Sequence, residues 1–97
     1  MRPYSETTYY PPIGADPGDT VTFSFARGAH AVVSLPDEAS WTACARPAFR
    51  LLASPQDTPF RFVVPSDAAG KTYYFACPVA DHCEEGMKVK VVATGTP

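Results

Sequence analysis

Residues 72–92 read TYYFACPVADHCEEGMKVKVV and predict two β-strands joined by a long loop. The flanks TYYFA and KVKVV are rich in aromatic and β-branched residues, which favour strands. The loop between them contains Cys77, His82 and Met87, with four residues between each and the next. One hairpin loop therefore presents a thiolate, an imidazole and a thioether.

These three side chains belong to a known set of metal ligands. A thiolate, imidazoles and a weak thioether are the donors of blue-copper electron-transfer sites. The chain has one further histidine, His30, at the start of a strand-like segment. Alone, His30 suits a surface or core position and Met87 a core position, but their joint occurrence with Cys77 favours a metal site. Cysteine and histidine also suit zinc, whereas a methionine ligand favours copper.

Length and composition predict one small domain, residues 1–97. Of the 97 residues, 45% are hydrophobic, which is enough for a single core. Eleven prolines and six glycines favour short segments and tight turns over long helices. The net charge of -2 comes without a block of like charges, so nucleic-acid binding has no electrostatic support. No apolar run is long enough to span a membrane. We expect a secreted protein in its mature form.

The three cysteines, Cys44, Cys77 and Cys83, are an odd number. In an oxidising compartment this count leaves one disulfide and one free thiol, and three different pairings can be drawn. An inert buried thiol would need no metal. A thiolate that binds a metal explains the leftover cysteine better, because the histidine and methionine ligands lie in the same loop.

The rest of the chain predicts further short strands separated by turns. Residues 20–25 and 59–65 alternate polar and apolar side chains, and residues 31–35 form a short apolar strand. Residues 4–10 suit only an edge strand or an extended lead-in, because two prolines follow. Residues 37–55 have no clean period and predict an irregular or helical insertion. These patterns predict an all-β fold of about six or seven strands, a sandwich or a barrel.

Together these stretches resemble the cupredoxins, and among them the phytocyanin-like and plantacyanin-like extracellular proteins. The resemblance runs from about Tyr10 to Val92 and rests on YPPI and PGDTVTF, GAHAVV, WTAC, and the segment from YYFAC to HCEEGM. It implies a Greek-key β-sandwich of about six to eight strands, with a short irregular or helical insertion around 37–55.

The resemblance also implies a function for particular residues. The residues that match the family's copper ligands are His30, Cys77, His82 and Met87, the last as a long axial ligand. The residues that match its structural disulfide are Cys44 and Cys83. A single copper ion alternating between Cu(II) and Cu(I) would carry electrons. Four protein ligands leave no position for a substrate, which argues against an enzyme.

Electrons would pass through the exposed edge of His82, by analogy with the family. The predicted apolar surface around this edge consists of Pro36, Pro78, Val79 and Ala80. Three acidic residues, Asp81, Glu84 and Glu85, lie in the same loop. A solvated acidic rim is the simpler interpretation, and docking to a basic partner surface, with an effect on association rate, is the alternative.

Two positions depart from the family's pattern, and they leave the reduction potential open. Ala31 stands where many relatives have Asn or Thr, and Asp81 stands where they often have Gly. We expect a monomer whose partner is a secreted redox protein. The alternatives are an extracellular protein that binds, sequesters or delivers copper, a cell-wall module in which copper is incidental, and, least favoured, an enzyme that uses copper and O₂.

Overall fold

The computed structural model describes residues 11–24, 28, 30–54, 56 and 59–94, which contain seven strands in two sheets. The strands are β1 (Ile13–Ala15), β2 (Thr20–Phe23), β3 (Val32–Leu35), β4 (Arg50–Ala53), β5 (Phe60–Val63), β6 (Thr72–Ala76) and β7 (Lys88–Ala93). Helix α1 (Glu38–Ala43) and a 3-10 turn (Arg46–Ala48) lie between β3 and β4. Within these residues no helix is long and apolar enough to cross a membrane. The predicted all-β fold is confirmed.

The larger sheet contains the hairpin that the sequence predicts. Its strand order is β1-β7-β6-β3-β4, with β1 parallel to β7 and the other neighbours antiparallel. Strands β2 and β5 form the second, antiparallel sheet. In the β6–β7 hairpin Ala76 pairs with Lys88. The two ends of the loop, Cys77 and Met87, therefore start from adjacent backbone positions.

Aromatic and aliphatic side chains on alternate strand positions fill the core between the sheets. The buried Phe75 ring of β6 lies 5.1 Å from the Phe23 ring of β2 and 5.0 Å from the Phe62 ring of β5. Val89 and Val91 of β7 are buried in the same cluster. Because residues two apart share one face of a strand, the intervening side chains of β6 and β7 lie on the opposite face.

Helix α1 covers part of that opposite face. The Trp41 ring lies 6.2 Å from the Tyr74 ring, and its indole N–H donates to the Phe75 carbonyl oxygen at 3.1 Å. The helix begins after Asp37, whose carboxylate accepts a hydrogen bond from the Ser40 N–H at 2.8 Å. Such an N-cap satisfies one of the free N–H groups of the first turn. This hydrogen bond lowers the pKa of Asp37.

Two strands, β1 and β4, are not among those predicted from the residue pattern. Strand β4 lies within the segment 37–55, for which we predict an irregular or helical insertion, although α1 and the 3-10 turn agree with that prediction. β4 is at an edge of its sheet, and three of its four residues are exposed. Its sequence RLLA therefore lacks the alternation of a half-buried strand. The edge strand or extended lead-in predicted at residues 4–10 falls outside the described residues.

Candidate metal centre

Three of the predicted ligands lie together at one end of the larger sheet. The ligand atoms of His30, Cys77 and His82 all lie within 4.8 Å of one another. The Cys77 Sγ atom is 3.4 Å from Nδ1 of His82 and 3.8 Å from Nδ1 of His30. A single sulfur is therefore flanked by two imidazole nitrogens, one of which comes from a residue 47 positions away in sequence.

Strand pairing explains how these distant residues meet. Strands β3 and β6 are antiparallel neighbours, and Val33 pairs with Ala76. Cys77 follows the last residue of β6, and His30 lies just before the first residue of β3. Because antiparallel strands bring the end of one beside the start of the other, the two ligands come from adjacent strand ends. His82 then needs only a local turn to reach them.

Backbone hydrogen bonds fold the loop around Met87. The Met87 N–H donates to the His82 carbonyl oxygen at 2.8 Å, and the Cys77 N–H donates to the Met87 carbonyl oxygen at 3.0 Å. The His82 N–H donates to the Val79 carbonyl oxygen at 3.0 Å. The Met87 side chain is fully buried. The backbone of Met87 therefore contacts both loop ligands directly, whereas the thioether stays a predicted ligand.

Burial differs between the sulfur and the two rings. Cys77 is fully buried, whereas His30 and His82 are partly exposed. The ring centroids of the two histidines are 4.9 Å apart. Burial lowers the pKa of His30, and the nearby charge of His82 lowers it further. A lowered pKa keeps the His30 imidazole neutral, which is the form that binds metals.

We expect the metal-free protein to be less stable at pH 5.5 than at pH 7.5. The folded state resists protonation of His30, whereas the unfolded chain takes up this proton near the ordinary value of 6.5. Stability therefore falls as the pH drops through that value. The His30 share should stay below about 1 kcal/mol, because water screens a partly exposed ring.

Urea unfolding at both pH values, of the metal-free wild type and of the metal-free His30→Gln variant, measures the contribution of His30 to this pH dependence. The variant should show a smaller difference between the two pH values. A wild-type protein that is equally stable at both pH values, or more stable at the lower one, would contradict the lowered pKa of His30.

A disulfide fixes the loop beside His82. Cys44 and Cys83 are bonded across a sequence separation of 39, and both are buried. All three cysteines lie in the described part of the chain, and Cys77 is the one left as a free thiol. Cys44 ends helix α1 in a left-handed conformation with φ of 50°. The bond thus connects the residue after His82 to the end of α1.

Lys88 makes a second connection between the hairpin and α1. Its Nζ atom donates to the carbonyl oxygens of Trp41 and Thr42 at 2.9 and 3.1 Å and lies 3.7 Å from the Cys44 sulfur. A cation at the C-terminus of a helix is favourable for the helix dipole. Burial lowers the pKa of Lys88, and the charge of Glu84 opposes this shift.

The structure brings residues 78–80 to the metal-binding end of the sheet but not Pro36. Residues 78–80 occupy the turn between Cys77 and His82. Pro36 follows the last residue of β3, whereas His30 precedes its first residue. Pro36 is therefore a strand length away, at the opposite end of β3, and its predicted place on the His82 surface is wrong. The proline shows where β3 ends in the sequence. It does not show whether that end of the strand lies near the metal centre.

The three acidic residues of the loop have different surroundings. Glu84 forms an ion pair with Arg46, in which Nη2 and Oε1 are 3.0 Å apart. Asp81 is exposed, and its carbonyl oxygen accepts a hydrogen bond from the Glu85 N–H at 3.0 Å. Since Glu84 is paired within the chain, the predicted acidic rim is not a set of three free carboxylates. Arg46 is not among the residues predicted from the sequence, because no motif or period points to it.

The donor set fits copper. Thiolate sulfur suits Cu(I), imidazole nitrogen suits copper in general, and a cysteine with two histidines is the donor set of blue-copper sites. Cys77 is buried beside both imidazoles, so the thiol lies where a soft metal could be shielded from water. The group formed by His30, Cys77 and His82 is suitable for one copper ion.

Comparison with known proteins agrees with the two-sheet β fold described above. The family model described as "Plastocyanin-like domain" matches residues 15–87. Cucumber stellacyanin, described with Cu²⁺, is 23% identical with a TM-score of 0.69, over 84% of this chain and 71% of that one. Cucumber basic protein, described as a blue copper protein, is 28% identical with a TM-score of 0.64, over 80% and 74% of the two chains.

A third solved structure, spinach plantacyanin, covers more of the chain. It is 24% identical with a TM-score of 0.61, and the match spans 95% of this chain and 88% of that one. No curated protein matches the sequence significantly. The family model spans most of the chain, including Cys77, His82 and the disulfide. The protein therefore belongs to the plastocyanin-like family, as a cupredoxin of the phytocyanin type.

Proposed function

We propose that the protein is a mononuclear type-1 copper protein that carries single electrons outside the cell. One observation supports this proposal most strongly. The buried thiol of Cys77 lies 3.4 and 3.8 Å from imidazole nitrogens of His82 and His30, which is the donor set of an electron-transfer copper site. Copper bound there would supply the one-electron couple between Cu(II) and Cu(I).

Four side chains would hold the ion: His30, Cys77, His82 and Met87. The first three are grouped within 4.8 Å. Met87 is proposed as the fourth ligand because its side chain is fully buried and its backbone is hydrogen-bonded to both Cys77 and His82. Each ligand comes from a strand end or from the hydrogen-bonded loop. The protein can therefore keep the donors in one arrangement for both oxidation states, which favours fast electron transfer.

The same donors argue for a carrier and against an enzyme. Catalytic metal sites keep a position open for water or substrate. The proposed sulfur donors, Cys77 and Met87, are fully buried. With the imidazoles of His30 and His82 they would make a set of four protein donors. The chain therefore binds and shields an ion without offering a position to a second reactant.

The exposed edge of His82 is the proposed route for electrons. Its ring is partly exposed, whereas the Cys77 sulfur is fully buried. Pro78 and Val79 are partly exposed and Ala80 is exposed. These three residues, which precede His82 in the sequence, provide a small apolar surface. The partner would be another secreted redox protein that docks on this surface. Extracellular placement is supported by the disulfide, because such bonds persist in oxidising compartments.

Voltammetry of the copper-loaded protein tests the carrier function. We expect a reversible one-electron wave and fast electron self-exchange, because the ligands need little rearrangement. Slow exchange combined with very tight retention of Cu(I) would contradict the carrier and favour sequestration. Zinc-loaded protein is the matched control, since Zn²⁺ has no redox chemistry and should give no wave.

A further inference from the structure

A single arginine outside the metal-binding loop holds that loop in place. The Arg46 guanidinium donates from Nη1 to the Pro78 carbonyl oxygen at 3.0 Å and from Nη2 to the Ala80 carbonyl oxygen at 2.6 Å. Nη2 also donates to both carboxylate oxygens of Glu84, at 3.0 and 3.3 Å. The Arg46 Cζ atom lies over the Phe49 ring, 5.4 Å from its centroid, and this cation–π contact helps to hold the guanidinium.

The loop groups that Arg46 binds lie on both sides of His82. Pro78 and Ala80 are between the predicted ligands Cys77 and His82, and Glu84 follows His82. Hydrogen bonds to charged donors are stronger than those between neutral groups. One side chain therefore holds the backbone before His82 and the Glu84 carboxylate after it.

The backbone at Ala80 needs such support. Ala80 has a φ of 45°, which lies in the left-handed region. Residues other than glycine adopt this backbone conformation at a cost of about 1 kcal/mol or more. Conformations of this kind persist where surrounding contacts impose them. The shortest of the Arg46 hydrogen bonds, at 2.6 Å, is to the carbonyl oxygen of this residue.

The position of Arg46 in the chain links it to the disulfide. Arg46 begins the 3-10 turn two residues after Cys44, which is bonded to Cys83. The segment 44–46 therefore anchors the loop twice, covalently at Cys83 and through hydrogen bonds at residues 78, 80 and 84. Two anchors on opposite sides of His82 restrict rotation of the loop better than either one alone.

We propose that Arg46 is a positioning residue of the metal centre: through Pro78, Ala80 and Glu84 it holds His82 in register with Cys77. The inference rests on the proposed copper site. It requires the fork of a guanidinium and not only a positive charge. Lysine has a single ammonium group and cannot bind two carbonyl oxygens and a carboxylate in the same fixed geometry.

The first test needs no metal. In the metal-free protein Cys77 is the free thiol, and it is fully buried. We expect Arg46→Ala and Arg46→Lys to speed alkylation of Cys77 by neutral iodoacetamide about tenfold, because the loop opens more often. Arg61→Ala is the matched control, since Arg61 is exposed on β5 in the other sheet and its loss changes the net charge equally.

The second test uses the copper-loaded protein. We expect both Arg46 variants to release Cu(II) to a chelator roughly tenfold faster than the wild type, at the lower end of the effect of outer ligand supports on metal affinity. Their electron paramagnetic resonance spectra should be broader, since the ligand geometry is less uniform. Glu84→Gln, which keeps the bonds to the two carbonyl oxygens, should change release only about two- to threefold.

The outcomes separate this inference from the proposed function. Equal thiol reactivity in Arg46→Ala and Arg61→Ala would overturn the positioning role, and so would an Arg46→Lys variant that behaves like the wild type. A wild-type protein that binds no copper would overturn the proposed function instead. The alkylation result would still report whether Arg46 holds the loop.

Discussion

Replacing Cys44 and Cys83 together by alanine is expected to lower the free energy of unfolding of the metal-free protein by about 4 kcal/mol. The bond closes a loop with a sequence separation of 39. Opening that loop lets the unfolded chain regain conformational entropy, which is the main term in this magnitude. Stabilities of domains of this size lie near 5–15 kcal/mol, so the loss is a large fraction of the total.

The double variant should be studied in parallel with Cys44→Gly combined with Cys83→Ala. Cys44 has a φ of 50°, which glycine adopts without strain, so the glycine version should recover about 1 kcal/mol. Equilibrium unfolding in guanidinium chloride measures both variants. A loss below about 1 kcal/mol in the alanine pair would show that the disulfide does not carry the stability assigned to it.

Cys77→Ser is expected to abolish the intense visible absorption of the copper-loaded protein. That absorption needs a thiolate bound to Cu(II), and Cys77 is the free thiol beside both histidines. The oxygen of serine is a harder donor and a poor ligand for Cu(I). The remaining imidazoles of His30 and His82 should still bind Cu(II), but weakly and without the intense band.

Cys77→Ala is the partner of this experiment, because the two variants share only the loss of the thiolate. Both should remain folded, since the hairpin hydrogen bond at position 77 comes from the backbone. Absorption spectra after loading with one equivalent of Cu(II), together with circular dichroism, measure binding and folding separately. An intense band that persists in either variant would exclude Cys77 as the ligand.

Much of the fold could be predicted because its strands show alternation or strong β-propensity. The hairpin of β6 and β7 follows directly from TYYFA and KVKVV, whose alternate residues, such as Phe75 and Val89, are buried between the sheets. Strand β4 could not be predicted in this way. Leu51 and Leu52 are both exposed at the edge of the sheet, so neither burial nor period marks them.

The grouping of His30 with Cys77 and His82 was predictable from the rarity of the residue types, because the chain has only two histidines. The support around that group was not. Arg46 and Glu84 are 38 positions apart and form an exposed ion pair, and sequence patterns do not encode such contacts. The wrong placement of Pro36 has a similar cause, since only the strand pairing decides which end of β3 faces the metal centre.

The central claim is that His30, Cys77 and His82 together bind one copper ion. X-ray absorption spectroscopy at the copper edge of the wild-type protein, loaded with one equivalent, tests this most directly. We expect one short sulfur neighbour and two imidazole nitrogens around copper. A shell made only of nitrogen and oxygen neighbours, with no sulfur at bonding distance, would contradict it.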